Sequence, residues 1–239
     1  MQKKLISLLL FLMLCAAMAV PAFAASDKAV AAADALYELG LFKGVGDNED
    51  GTPNYDLDRG LTRQEAVTLL VRLLGKEAEA LAGTWKTPFT DVADWAKPYV
   101  GFAFENGLTN GVSATLFGSE ALVTATQYLT FVLRALGYES GTDFEWDSAW
   151  TLTDELGITA GEYDADADFL RADAVLVSNA ALEATLKDSD KTLLEVITEN
   201  LAAAPEADAD EEAAEETTEE ETDEEETTEE ETTEEEAAA

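Results

Sequence analysis

Arg63 to Gly75 and Ala125 to Gly137 have the same length and the same pattern, and this internal repeat narrows the possible folds more than any other feature of the chain. In the first stretch Val67, Leu70, Val71 and Leu74 recur at the spacing of one helical face, and Leu129, Val132, Leu133 and Leu136 do so in the second. Each run opens with a capping box. Thr62 and Glu65 sit three apart, as do Thr124 and Gln127, so that side chains satisfy the free amides of the first turn. Gly75 and Gly137 stand where a left-handed C-cap ends a helix. A third copy runs from Leu170 to Leu182, with Leu170 replacing the threonine and Asp173 the glutamate. Lacking the cap, its helix is expected to fray at the start.

A second, shorter pattern precedes each of these runs. In the middle copy Phe89-Thr90-Asp91-Val92 and Trp95-Ala96 lead through Tyr99, Val100 and Ala103 to Gly107-Leu108-Thr109-Asn110-Gly111. The first copy matches it with Ala35-Leu36, Gly40-Leu41 and Gly44, and the third with Ala149, Leu156-Gly157-Ile158 and Gly161. Each copy therefore reads as helix, glycine-bearing loop, helix, and the expected fold is all-α. The copies span 27–80, 86–140 and 141–204, and they are expected to share one core, because each helical face has only the other copies to cover it.

Both ends of the chain differ in composition from this middle. Lys3 and Lys4 precede an apolar run from Leu5 to Val20 and the small residues of Ala22-Phe23-Ala24, which reads as a secretory signal peptide over 1–24. The run is shorter than the roughly 20 residues that a spanning helix needs, so no membrane insertion is expected after cleavage. Cys15, the one cysteine, leaves with it, and the chain has no histidine. Disulfides, thiol chemistry and histidine-based nucleophile activation are thereby excluded from the mature chain. From 205 to 239 there are 20 acidic and no basic residues, with Thr217 to Glu221 the first of four threonine–glutamate pentads. This tail has nothing to bury and repels itself, so it is expected to be disordered. Residues 25–204 carry 31 acidic against 12 basic residues. That balance argues against nucleic acid and against anionic lipid as partners.

The ordered, repeated motifs resemble the S-layer homology family over nearly all of residues 27–200. The middle copy carries that family's Phe-x-Asp-Val, Trp-Ala and Gly-Leu-x-x-Gly elements, and Thr62-Arg63-Gln64-Glu65 is close to its Thr-Arg-Ala-Glu signature. The resemblance implies three copies packed as a pseudo-threefold spindle at the bacterial surface. It also implies grooves that bind a secondary cell-wall polysaccharide, often bearing pyruvylated sugars. Arg63 and Arg171 match the family's ligand-reading arginine, whereas Ala125 stands at that position in copy two. At most two grooves are therefore equipped in the family's manner.

The same residues have a physical reading of their own. A cation in the first turn of a helix opposes the helix dipole, so Arg63 needs compensation. A ligand carboxylate gripped by two parallel hydrogen bonds would supply it. So would a salt bridge to Asp56 or Asp58. Both arginines are expected near solvent, and Arg72, further along the first helix, is expected to play no part. Trp95 is either an apolar platform under a sugar ring or a packing residue. Asp91 is expected to cap the helix that follows it, with a sugar hydroxyl as a second partner. Gly111 permits a tight turn and leaves bare backbone for a ligand to approach.

Metal and catalytic readings find little to stand on. The acidic loop 47–58 fails the EF-hand pattern, since Gly51 at the sixth position would place Gly46 at the first. No cofactor motif is present, and in so acidic a chain no carboxylate pair singles itself out for glycan hydrolysis. The sequence therefore favours a non-catalytic wall-attachment module. Its rival is a secreted interaction protein whose glutamate-rich tail recruits cations or basic partners.

Overall fold

The computed structural model describes residues 26–203, which hold eight α-helices, two single 3₁₀ turns and a few isolated β-bridges, with no strand among them. The helices are α1 (Asp27–Glu38), α2 (Arg63–Leu73), α3 (Glu77–Ala82), α4 (Lys97–Glu105), α5 (Ala125–Ala135), α6 (Trp150–Glu155), α7 (Arg171–Ala181) and α8 (Leu193–Ala203). The fold is all-α, as the periodicity requires. The expected signal peptide and acidic tail lie outside the described residues.

The three repeated helices begin in different ways. At α2 the capping box closes: the Thr62 amide donates to Glu65 Oε2 at 2.9 Å and the Glu65 amide to Thr62 Oγ1 at 3.4 Å. At α5 the Gln127 amide donates to Thr124 Oγ1 at 3.3 Å. The expectation that α7 frays for want of a cap is not met. Asp173 accepts from the Leu170 amide at 2.7 Å, and the amides of Arg171 and Ala172 donate to the carbonyls of Arg59 and Leu57 at 2.9 and 3.0 Å. Another copy's backbone thus does the work that a threonine side chain does at α2. Gly75 and Gly137 end α2 and α5 in the left-handed region, at φ +63° and +91°.

Packing crosses the copy boundaries. The second helix of each copy lies against the first helix of the next: α2 on α4, and α5 on α6, while α7 returns to α1. Isolated bridges pair Gly60 with Leu170 and Thr62 with Leu122, so the segments leading into the three repeated helices are stitched together. The predicted apolar faces lie inside, with Val67, Leu70, Val71, Leu129, Val132, Leu133 and Leu136 fully buried. Helix α2 is buried more widely than one face, through Gln64, Thr68, Leu69 and Leu73, because α3, α4 and α5 each cover a side of it. Two elements carry no repeat signature, α3 and α8. The second presses Ile197 and Leu201 against the α2 C-cap, so closely that a methyl group at Gly75 would touch both at 3.4 Å.

Two candidate ligand grooves

Arg171 and Arg63 open α7 and α2, yet neither is near solvent: their exposures are 6% and 8%. The expected position near solvent is not met, for a physical reason. A helix start stitched to another copy's backbone is covered by that copy's loops. Arg171 Nε donates to the Tyr55 carbonyl at 2.8 Å and a terminal nitrogen to the Lys43 carbonyl at 3.3 Å, with its guanidinium 5.0 Å from the centre of the Phe42 ring. Arg63 lies 5.1 Å from the ring centres of both Phe117 and Phe131. Its buried Nε has no hydrogen-bond partner among the described residues. The salt bridge proposed between Arg63 and Asp56 or Asp58 does not form. Arg59 takes Asp56 instead, at 2.5 Å, and binds Glu65 at 2.6 Å.

These surroundings tune the charges. Burial, reinforced by the positive charge of Arg134, brings the Arg63 guanidinium down to about 10, so it remains a cation at neutral pH. Burial also lowers Arg171, with Arg59 adding to the effect and Glu65 and Asp56 opposing it. Burial works against ionisation of Glu65, but Arg59, Thr62 and their hydrogen bonds outweigh it and hold the carboxyl down at about 2.

Each arginine belongs to a groove walled by a different copy. In groove one, about 140 Å³, Arg171 faces Glu65, Thr68, Leu69 and Arg72 of α2, with Trp95 and the Lys43-Gly44-Val45 turn alongside. In groove two, about 380 Å³, Arg63 faces Gln127, Thr130, Phe131 and Arg134 of α5, with Trp146 and the Asn110-Gly111-Val112 turn alongside. Every α5 residue stands 62 positions after its α2 counterpart. The two grooves are one construction used twice. Applied to α7, it would draw on Ala125 and Ala180 at the two arginine positions, and neither carries a charge.

The remaining candidates divide. Trp95 is 51% exposed and Trp146 60%, and each lines its groove outside the buried core. Gly111, at φ +56°, lines groove two. A Cβ there would lie 2.4 Å from Phe89 and 2.7 Å from the Leu116 carbonyl, so the turn admits no side chain. Asp91 does not cap a helix. The following 3₁₀ turn starts at Asp94 without a side-chain cap, and Asp91 accepts instead from the amides of Phe117, Gly118 and Ser119 at 2.7, 2.8 and 3.2 Å. Burial opposes ionisation of this carboxyl, but the three amides hold it below the usual carboxylate range. Asp91 thereby fixes the loop that carries Phe117, the ring beside Arg63.

Among the groove residues that escaped the sequence reading are Arg72, Arg134, Thr130 and Trp146. Arg72 and Arg134 each stand nine positions after the first residue of their helices, a signal available in the aligned copies. Arg72 is not the bystander expected; it lines groove one, donates to Glu77 at 2.8 Å and lies over Tyr99. The acidic loop 47–58 closes on itself through Asn48, Asp50 and Thr52. Among the described residues no three acidic, histidine or cysteine side chains gather as a metal site would require.

No family model matches the chain. A cell surface protein of Thermoanaerobacter kivui is 32% identical to it over 179 residues, 72% of this chain and 22% of that protein. A surface layer protein of Brevibacillus choshinensis is 33% identical over 171 residues, 66% of this chain and 15% of that protein. A middle cell wall protein of Brevibacillus brevis is 32% identical over 160 residues, 62% of this chain and 15% of that protein. The chain thus spans about a fifth or less of the length of these relatives, and the similarity places it among bacterial cell-surface proteins.

Proposed function

We propose that this chain is a non-catalytic attachment module that holds its protein on an anionic polysaccharide of the cell wall. The polymer suggested by the resemblance to S-layer homology proteins is a secondary wall polysaccharide bearing pyruvylated sugars. The copies 27–80, 86–140 and 141–204 would form the pseudo-threefold spindle of that family, with groove one and groove two between them. The observation that carries the reading is the twofold recurrence of one constellation, a buried arginine and an exposed tryptophan across a cleft. An exposed aromatic face suits the apolar side of a sugar ring, and an arginine fork suits a carboxylate. Gly44 and Gly111 let the groove-edge turns close tightly on Asn54 and on Phe89 and Leu116, which sets the rim of each groove. Asp91 acts at one remove, by holding Phe117 beneath Arg63.

Sedimentation with purified wall tests this reading. The expected result is that the chain pellets with intact wall and stays in solution once the secondary polymer has been stripped. Removing residues 205–239 should leave pelleting nearly unchanged, because a glutamate-rich segment beside an anionic polymer gains nothing by approaching it. Loss of pelleting on that truncation would transfer the attachment role to the tail and sink the proposal.

A further inference from the structure

The two grooves are built from equivalent positions but differ in charge. Among the described arginines, Arg59 and Arg72 pair with carboxylates, whereas Arg63, Arg134 and Arg171 do not. Arg171 spends its donors on two backbone carbonyls. Groove two has no such outlet. Arg63 meets only the faces of Phe117 and Phe131, with Nε buried and without a partner. Half-buried Arg134 makes one long hydrogen bond, 3.4 Å to the Leu108 carbonyl. Thr130, 6% exposed, lines the same groove, and its Oγ1 likewise has no partner among the described residues. Among the described residues no carboxylate lines this groove. At the matching places groove one has Glu65 instead of Gln127, and its second arginine is held by Glu77.

Two cations facing one cleft repel each other, and the effect of Arg134 on the basicity of Arg63 reports that repulsion. Such an arrangement lowers the stability of the free protein. Local arrangements that cost stability are characteristic of functional sites.

We propose that groove two is a site for a ligand segment carrying two negative charges, held by Arg63, Arg134 and Thr130, while groove one accepts a single charge. The two charges can be one dianion or two neighbouring anionic groups, as carboxylates or phosphates. The inference deepens the wall-polymer reading and rests on it for the identity of the chain that bears the charges, but not for the existence of the site.

The test titrates the full chain by NMR at fixed ionic strength with acetate, malonate and inorganic phosphate. Malonate or phosphate should bind at least tenfold more tightly than acetate, with the shifts gathered around groove two. Tighter malonate assigns the charges to carboxylates, and tighter phosphate to a phosphorylated polymer; both support the site. Arg134→Gln should erase the preference, Arg134→Lys should keep most of it, and Lys28→Gln, the same change in net charge at an exposed position, should keep all of it. Arg134→Gln should also unfold at or above the temperature of the parent, a result that a merely structural arginine would not give. Equal binding of acetate, malonate and phosphate by the parent overturns the proposal, and so does a preference that survives Arg134→Gln. Wall sedimentation with the same variants keeps the two readings apart. A parent that fails to pellet but retains the dianion preference defeats the wall reading alone. One that pellets without any such preference defeats the dianion site alone.

Discussion

Arg63→Met is expected to keep the stability of the parent or raise it by about 1 kcal/mol, whereas Arg171→Met is expected to lower it by about 2 kcal/mol. The two arginines occupy matching positions, so the difference must come from what surrounds them. Methionine at 63 fills much the same space, removes a buried charge that has no carboxylate, and ends the repulsion by Arg134. It forfeits the attraction of two ring faces, about 0.5–2 kcal/mol each way of counting. Removing an ill-compensated buried charge in favour of an apolar side chain is commonly neutral or better. At 171 the same change breaks charge-assisted bonds to the Tyr55 and Lys43 carbonyls and strands the former inside the core. Such bonds are each worth about 1.5–3 kcal/mol, partly recovered where water reaches Lys43. Both variants should bind wall polymer about ten- to a hundred-fold more weakly, as expected for losing one charge-assisted contact. Urea unfolding read beside polymer affinity checks the pair. Equal destabilisation by both substitutions would make Arg63 an ordinary structural residue.

A fragment confined to one copy should not fold. Residues 86–140 hold α4 and α5, but α4 is covered by α2 and α5 by α6, both of which lie outside the fragment. The fragment would expose Leu129, Val132, Leu133 and Tyr128, which are fully buried in the chain. At about 1.5–3 kcal/mol for each large apolar side chain left in water, four such exposures are comparable to the whole stability of an ordinary small domain. Circular dichroism of residues 86–140 should therefore show little helix and no cooperative melt, while residues 26–203 melt in one transition. A sigmoidal melt of the isolated fragment would show that the copies are independent units.

The helices and their ends were legible in the sequence because they depend on neighbours along the chain. The periodicity from Val67 to Leu74, the Thr62–Glu65 box and the glycine C-caps are local signals, and each corresponds to an element of the structure. What the sequence hid was the crossing of helices between copies. Arg63 belongs to the first copy by number, yet it serves a groove walled by the second. Its burial follows from that crossing, as does the cap that Leu57 and Arg59 supply to α7. Asp91 deceived for a similar reason. Its sequence context is that of a helix cap, and its three partners lie 26 to 28 residues away. Trp146 was missed because it falls one place out of register with Trp95 when the copies are aligned on their glycines.

The four tryptophans offer the most direct view of the grooves, since each indole N–H gives its own NMR signal. Trp95 and Trp146 are exposed at groove one and groove two. Trp85 donates to the Ala80 carbonyl at 2.7 Å and packs on Phe102, and Trp150 is half-buried beside the core. Titrating the labelled chain with isolated secondary wall polysaccharide should move the signals of Trp95 and Trp146 in a saturable way and leave those of Trp85 and Trp150 in place. Four unmoved signals at saturating polymer, or four moving together, would contradict attachment through these two grooves.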